Sequence, residues 1–342
     1  MQTQYNLDVH RPSRMILIAG ILAICVGLIG FCVLGLWASE ASVLSAPGIS
    51  RNYGMPPVAE VADAAAQGAV MATGAATPTE HAMSISNAAL FSMAEAQGYA
   101  HSTCSGDSGW IEYATYPSSL LGEPVPFRVY LPPCYDRSQD QYPVVFLLHG
   151  DMMDESHWDE LGADEVVEAG VDQGLWAPFI LVMPRLPEPL FTHTDGGDVS
   201  YEMEMLSGLI PYVESHYRVR ASADYRFLAG ISRGGVWALE IGFHHPELFE
   251  GVIALSPALN VNHARSMYDP FELAATQTDL PESIFLAVGE QDAARIRVED
   301  LHNVLDQRGV VHTFALSSGN RSVESWRHIL GDIFHFAAST WN

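Results

Sequence analysis

Ser232 lies in a pentapeptide that is typical of a catalytic nucleophile. Residues 230–234 read Gly-Ile-Ser-Arg-Gly, which is a G-x-S-x-G pattern. A mostly apolar run at 225–229 precedes the pattern and indicates a strand, and a helix-compatible run follows it at 236–241. A serine on so sharp a strand-to-helix turn is pushed out of the sheet with its hydroxyl exposed, and the flanking glycines leave room for the turn. This context favours a nucleophilic serine over an ordinary glycine-rich turn.

An oxyanion formed at Ser232 would need hydrogen-bond donors, and backbone N–H groups near the serine can supply them. One donor is the N–H of Arg233, at the N-terminus of the following helix. A second donor is expected from the turn after an earlier buried strand, in the stretch that contains Asp151, Met152 and Met153.

An acid and a base should complete the triad, in the chain order serine, acid, histidine. Asp292 follows the apolar run at 284–288 and is the candidate acid, with Glu290 as the second candidate. The competing interpretation is a surface loop of an acidic chain. The histidine should follow the last strand, but residues 317–322 read Ser-Ser-Gly-Asn-Arg-Ser. The expected base is therefore missing from its place.

Other histidines could replace it only from elsewhere in the chain. His328 lies two turns into the last helix, roughly 10 Å beyond the expected point, and His335 lies farther along that helix. His312 precedes the last strand and should lie at its far end. We interpret His149 as a structural histidine that orients its turn. His193 is the best candidate for a base supplied by another loop.

The elements that would position these residues are short apolar strands that alternate with helical stretches. Two paired strands are predicted first, at 110–116 and 125–131, and six buried strands follow, at 144–148, 179–183, 227–229, 252–255, 284–288 and 313–316. Helical patterns lie between most of them, such as those at 201–217, 236–243 and 298–308. The alternation predicts an α/β domain with a mainly parallel sheet and helices on both faces. Sites in such sheets form outside the carboxyl ends of the strands.

A possible membrane segment precedes this domain. Residues 15–37 are apolar throughout and long enough to cross a hydrocarbon core of ~30 Å. Arg11 and Arg14 precede the segment and no basic residue follows until Arg51, which predicts a cytoplasmic tail at 1–14 and an outward-facing remainder. A cleaved signal peptide is the competing interpretation, but the run exceeds the usual apolar core of ~7–15 residues.

Composition separates a linker from the domain. Residues 38–103 are rich in alanine, glycine, serine and proline and predict a flexible linker, so that the domain spans 104–342. Cys104 and Cys134 are the only cysteines in that domain, and we expect a disulfide between them in an oxidising compartment; two unrelated thiols are the alternative.

The formal net charge of −25 arises without a single lysine, since all 16 basic residues are arginines. So acidic a chain argues against nucleic acid, whose phosphates need cationic partners, and against docking on anionic lipid. Residues 195–198 read Asp-Gly-Gly-Asp and could hold a cation, but a solvated turn fits better. No metal or organic cofactor is implied.

The order of motifs between residues 108 and 340 resembles the Putative esterase family of α/β-hydrolases. This family includes enterochelin and feruloyl esterases, esterase D-like enzymes and bacterial mycolyltransferases. The motifs are Tyr-Leu-Pro-Pro at 130–133, Leu-Leu-His-Gly at 147–150 with Trp158 downstream, Val-Met-Pro at 182–184, Leu-Ile-Pro-Tyr-Val at 209–213, Ala-Gly-Ile-Ser-Arg-Gly-Gly at 229–235 and His-Pro-Glu-Leu-Phe at 245–249. The resemblance implies an α/β-hydrolase fold, Ser232 as nucleophile and Asp292 as acid.

The chain departs from the family at one position. The family usually closes with Gly-His-Ser/Asp-Trp and a second tryptophan; residues 319–326 keep that spacing, but Arg321 occupies the place of the histidine. Arginine stays protonated and cannot act as a base. Loss of one triad member typically leaves only ~10³–10⁴-fold catalysis over water. We expect the Arg321 side chain near Ser232 and Asp292.

Two functions fit these observations. The first is a membrane-anchored, extracytoplasmic serine hydrolase of carboxylic-ester type, an esterase or acyltransferase impaired by the missing histidine. Its substrate would be a small-molecule, lipid or glycan ester. The second is a non-catalytic α/β-hydrolase domain that acts as a binding module or as a protein partner in a membrane assembly.

The apolar segment at 15–37 yields the first testable prediction. If it is an uncleaved anchor, the mature protein retains it, because its length and flanking arginines favour a spanning helix over a signal peptide. Sequencing the mature N-terminus checks this. A start between Ser39 and Pro47 would show cleavage instead.

Overall fold

The computed structural model describes residues 107–193, 195–261 and 264–341. The predicted membrane segment at 15–37, the linker at 38–103 and Cys104 lie outside these residues, so the anchor and the disulfide stay predictions. Within the part of the chain that is described, no helix combines the length and the apolar character that crossing a membrane requires.

Eight strands form one sheet in the order β1-β2-β4-β3-β5-β6-β7-β8. They are β1 (Trp110–Pro117), β2 (Pro124–Leu131), β3 (Val144–Leu148), β4 (Ile180–Pro184), β5 (Arg226–Ile231), β6 (Gly251–Leu255), β7 (Ser283–Gly289) and β8 (Thr313–Ser317). The β1–β2 and β2–β4 pairs are antiparallel, and β4, β3, β5, β6, β7 and β8 pair in parallel. The mainly parallel sheet predicted from the sequence is confirmed.

The helices lie in the connections between the strands. They are α1 (His157–Glu160), α2 (Ala163–Asp172), α3 (Leu190–His193), α4 (Tyr201–Glu204), α5 (Ile210–His216), α6 (Arg233–His244), α7 (Pro270–Thr276), α8 (Arg295–Gln307) and α9 (Val323–Ala338). A π-helical turn at Met205–Leu209 joins α4 to α5, so the continuous helical pattern expected at 201–217 contains one irregular turn.

Strand β3 shows how the sheet separates two cores. All five of its residues are buried. Val144, Phe146 and Leu148 contribute to one core, which also contains residues of α5, α6 and α8. Val145 and Leu147 contribute to the other, which contains residues of α2 and α9. Successive side chains of a strand point to opposite faces, so this alternation places helices on both faces of the sheet.

The turn at Ser232 depends on glycine at two positions. Ser232 has φ 57° and ψ −114° and separates the end of β5 from the start of α6. A Cβ on Gly230 would lie 2.1 Å from the Gly234 oxygen, and a Cβ on Gly234 would lie 2.4 Å from the carbonyl oxygens of Leu148 and His149. The helix can therefore approach the ends of β5 and β3 only without these side chains.

His149 ties the turn after β3 to the segment after β4. Its Nε2 accepts a hydrogen bond from Leu186 N–H at 2.9 Å, so its Nδ1 carries the proton and donates to the Gly150 carbonyl at 2.7 Å. Burial lowers the pKa of His149 to about 4. Both ring nitrogens are used within the fold, which agrees with a structural role.

Gly234→Ala should destabilise the domain strongly, because the new Cβ meets main-chain atoms that cannot move aside. We expect a loss of at least about 3 kcal/mol in the free energy of unfolding, measured by urea titration. Gly331→Ala in α9 is the matched control: nothing lies within 4 Å of its added Cβ, and the helix should gain up to about 1 kcal/mol. Equal effects of the two substitutions would contradict the packing argument.

The buried His149 should make the fold acid-sensitive. Its folded pKa lies below the ordinary value of 6.5, so the unfolded chain binds a proton that the folded chain does not. The contribution to stability is complete above pH 6.5 and falls as the pH drops towards 4, by roughly 2 kcal/mol at pH 5.

His149→Gln should flatten this dependence while lowering stability at pH 7 by about 1 kcal/mol, since the hydrogen bond to Gly150 is lost. Unfolding titrations at pH 7 and pH 5 provide the measurement. His328→Gln, at a side chain that is 76% exposed, should leave the pH dependence unchanged. An undiminished slope in His149→Gln would show that other groups cause the acid sensitivity.

Candidate active site

Arg321 joins three groups at the carboxyl ends of the parallel strands. Its Nη1 donates to Ser232 Oγ at 2.7 Å, its Nε to Asp292 Oδ1 at 3.2 Å and its Nη2 to the Ser256 carbonyl at 2.8 Å. The Arg321 side chain therefore lies between Ser232 and Asp292, where the sequence analysis expects it.

The loop before α9 sets the position of Arg321. Ser322 begins the helix, and its Oγ accepts the N–H of Ser325. Gly319 has a φ of 125°, and a Cβ there would lie 2.6 Å from Ser325 Oγ. The loop is thus compact on both sides of Arg321, which limits the directions its side chain can take.

Asp292 is a fully buried acid in the loop after β7. Its side chain is 0% exposed. Besides Arg321, its Oδ1 accepts the N–H of Ala294 at 2.8 Å. Glu290, the second candidate from the sequence, is exposed and takes no part in this hydrogen-bond group. The structure therefore brings Asp292, and not Glu290, together with Ser232.

Ser256 is a member of the site that the sequence did not reveal. It follows β6 directly, has a φ of 47° and is buried. Its N–H donates to the Ala287 carbonyl at 2.7 Å, which fixes the residue between the ends of β6 and β7. This conformation directs its own carbonyl at Arg321. A positive φ on a serine leaves no pattern in the sequence, so no signal could have indicated this contact.

The predicted oxyanion donors lie beside Ser232. A Cβ on Gly150 would be 3.5 Å from Ser232 Cβ, so the turn after β3 faces the serine. The N–H of Met152 already donates a hydrogen bond to Asp151 Oδ1 at 3.0 Å. No hydrogen bond between described residues uses the N–H of Asp151. Of the two predicted residues, Asp151 is therefore the better candidate for the second donor, beside the predicted donor Arg233, which begins α6.

The histidines considered in the sequence analysis lie in different parts of the domain. Between the described residues, no histidine hydrogen-bonds to Ser232 Oγ, whose partner is Arg321. His193 ends α3 and lines the same cleft, so it stays a candidate. His328 is exposed, as expected of a helix-surface residue. His312 hydrogen-bonds to His302 at 2.7 Å, at the far end of β8.

A cleft of about 820 Å³ opens over Ser232, Arg233 and Arg321. Its walls include His193 at the end of α3, Asp195 in the segment that follows and Arg265 from a separate loop. Arg265 forms two parallel hydrogen bonds with the Asp195 carboxylate, each at 2.8 Å, and these bonds lower the pKa of Asp195. The Arg265 guanidinium therefore binds the carboxylate of Asp195, one of the two residues that the sequence analysis considered as cation ligands.

The arrangement brings together a candidate nucleophile, candidate oxyanion donors and a candidate acid, but the residue between the serine and the acid is a permanent cation. The guanidinium donates to Ser232 Oγ and cannot accept the proton that the hydroxyl must lose on attack. The catalytic roles of Ser232, Asp292 and Arg321 remain predictions, whereas their mutual geometry is given by the structure.

Comparisons with curated proteins point to esterases. A family model described as "Putative esterase" matches residues 118–334. An endo-1,4-beta-xylanase/feruloyl esterase of Xylanibacter ruminicola is 30% identical over 149 residues, and Esterase Rv1288 of Mycobacterium tuberculosis is 31% identical over 136 residues. The alignments cover 41% and 37% of this chain but only 20% and 28% of those two proteins.

Solved structures show the same fold. A ferulic acid esterase superposes with a TM-score of 0.62 at 22% identity, covering 69% of this chain and all of the other (100%). The S-formylglutathione hydrolase FrmB of Staphylococcus aureus superposes with a TM-score of 0.58 at 17% identity, covering 67% of this chain and 99% of the other. These structures establish the α/β-hydrolase fold, and the family model covers more than half of the sequence. The chain is a member of the Putative esterase family.

Proposed function

We propose that this chain recognises carboxylic esters at Ser232 and turns them over slowly, because Arg321 takes the place of the general base. The observation that carries the proposal is the hydrogen bond from Arg321 Nη1 to Ser232 Oγ. The serine keeps the elbow conformation and the N–H donors that an acyl-transfer site needs. What it lacks is an acceptor for its proton.

The arginine affects both halves of an acyl-transfer cycle. In the first half a base removes the hydroxyl proton and returns it to the leaving alcohol; in the second half it activates water against the acyl-enzyme. Arg321 cannot do either, since its guanidinium stays protonated. The oxyanion donors and the cleft still favour ester binding, so the expected result is a weak hydrolase with an intact binding site.

The setting of the domain is part of the same proposal. The apolar segment at 15–37 would anchor the chain, with the domain outside the membrane and Cys104 bridged to Cys134 in an oxidising environment. The substrate class is an ester of a small molecule, a lipid or a glycan. The names of the relatives, a feruloyl esterase and an esterase, support an ester substrate.

A second function is favoured by how completely Arg321 is bonded. Its three hydrogen bonds tie the loops after β5, β6 and β7 together, so the arginine acts as a structural clasp. A domain whose cleft loops are fixed in this way would serve as a binding module that does not hydrolyse its ligand.

A fluorophosphonate probe separates the two functions. Such probes react with a nucleophilic serine in one step, without needing deacylation. Labelling of the folded full chain that disappears in Ser232→Ala would support a hydrolase. Folded chain that is not labelled, with the same probe labelling an active serine esterase in parallel, would support the binding module.

Arg321→His should raise hydrolysis of a short-chain p-nitrophenyl ester by about 10²–10⁴-fold, which is the usual contribution of a positioned base. Initial rates at pH 8 provide the measurement. Arg321→Gln is the matched control: it removes the cation without adding a base, and it should gain little. The gain in Arg321→His must also disappear when Ser232→Ala is added. Wild-type activity at ordinary esterase levels, lost in Ser232→Ala and indifferent to residue 321, would contradict the proposal.

A further inference from the structure

Two histidines and a glutamate form a cluster outside the residues that line the cleft over Ser232. Glu202 belongs to α4, His244 is the last residue of α6 and His245 follows it. His244 Nδ1 lies 2.5 Å and His245 Nε2 lies 2.8 Å from the same oxygen, Glu202 Oε1. The carboxylate is nearly buried at 3% exposure, whereas the two imidazoles are 27% and 25% exposed.

The end of α6 makes this convergence possible. Consecutive residues within a helix point about 100° apart, so two adjacent histidines would normally diverge. His245 leaves the helix with φ −127° and ψ 58°, and Pro246 follows. The change of backbone direction turns both rings towards Glu202, with their centroids 4.5 Å apart.

The donor atoms suit a transition metal rather than a hard cation. Two imidazole nitrogens and one carboxylate oxygen are a common protein ligand set for zinc. One atom from each residue lies within 4.8 Å of the other two. Around a tetrahedral zinc with bonds of about 2.0 Å, ligand atoms lie about 3.3 Å apart. Compared with the present 2.5 and 2.8 Å, the two nitrogens would need to move away from the Glu202 oxygen by about 0.8 and 0.5 Å to admit the ion.

Further contacts orient the ligands as metal sites commonly require. His245 Nδ1 lies 3.5 Å from the Glu247 carboxylate, which turns Nε2 towards Glu202. Glu202 Oε2 accepts the N–H of Gly197 at 3.1 Å, which fixes the other end of the carboxylate. A ligating histidine usually donates its second N–H to a carboxylate or carbonyl, and a ligating carboxylate is itself hydrogen-bonded. Two carboxylates would also balance the charge of a divalent ion.

A second histidine pair provides the contrast. His302 and His312 hydrogen-bond at 2.7 Å through Nδ1 and Nε2, but the nearby Asp306 faces the opposite ring nitrogen of His302 at 3.8 Å. The Asp306 side chain is 63% exposed. These three residues also offer one atom each within 4.8 Å of the other two, but their carboxylate is exposed and no single oxygen contacts both imidazoles. This pair is therefore the weaker ligand set and serves as an internal control.

We propose that Glu202, His244 and His245 bind a zinc ion that braces the wall of the cleft. The link to the cleft runs through Glu202, which holds Gly197, two residues beyond the cleft residue Asp195. Tyr268 packs against His244 with ring centroids 5.2 Å apart, and a Cβ on Gly196 would lie 2.3 Å from its ring. An ion at this point would join α4, the end of α6 and the Asp195 loop.

Isothermal titration of the chelator-treated full chain with zinc chloride tests the site. We expect about one ion per chain, and binding weakened on the order of 100-fold or more in Glu202→Gln and His245→Gln. Glu247→Gln should weaken binding by about 10–100-fold, an effect that only a partner of a metal ligand would show. His302→Gln should bind like the unmodified chain.

Thermal unfolding gives an independent readout if Glu202→Gln proves unstable. Zinc at about 100 times its Kd should raise the Tm of the unmodified chain on the order of 5–10 °C and leave that of His245→Gln unchanged. Absence of zinc binding in the unmodified chain would overturn the proposal. Binding that is equally strong in His245→Gln and Glu247→Gln would overturn it as well, because the ion would then sit elsewhere.

Discussion

The bond between Arg321 and the buried carboxylate of Asp292 is the interaction on which the rest of the site depends. A carboxylate with a 0% exposed side chain needs a partner, since a buried charge left alone typically costs 3–5 kcal/mol. In a complete triad a histidine supplies that partner. Here a guanidinium supplies it, and its second and third donors reach Ser232 and the Ser256 carbonyl. Arg321 therefore stabilises the Asp292 carboxylate, but it offers no group that could accept the Ser232 proton.

The sheet explains why one side chain can reach all three groups. Strands β5, β6 and β7 are adjacent and parallel, so their carboxyl ends meet at one edge. Ser232 follows β5, Ser256 follows β6 and Asp292 lies just beyond β7. The chain then returns through β8, the next strand in the sheet, and Arg321 follows it. Topology therefore brings together residues that are up to 89 positions apart in the sequence.

Much of this could be predicted from the sequence, because the decisive signals were local. The glycines around Ser232 indicated a close approach of backbone, and the alternation of apolar runs indicated the parallel sheet. The spacing of 319–326 indicated where Arg321 would lie. Contacts that depend on an unusual φ or on the end of a helix gave no pattern. Ser256 and the convergence of His244 on Glu202 belong to this second group. The Asp195–Arg265 pair gave no pattern for another reason: it joins two loops that are 70 positions apart in the sequence.

The side chain at position 321 that best stabilises the site differs from the one that would best support ester hydrolysis. Arginine has enough N–H groups to serve three acceptors, whereas an imidazole has two nitrogens and can engage at most two of them. A histidine placed between Asp292 and Ser232 would therefore leave the Ser256 carbonyl without its donor, and an unsatisfied buried group costs about 1–3 kcal/mol. One side chain at position 321 therefore cannot both accept the Ser232 proton and keep all three hydrogen bonds. Arginine therefore favours a firmly held site over proton transfer at this position. The glycines on both sides of Ser232 are required by packing whatever the serine does, because a Cβ on either would meet main-chain atoms.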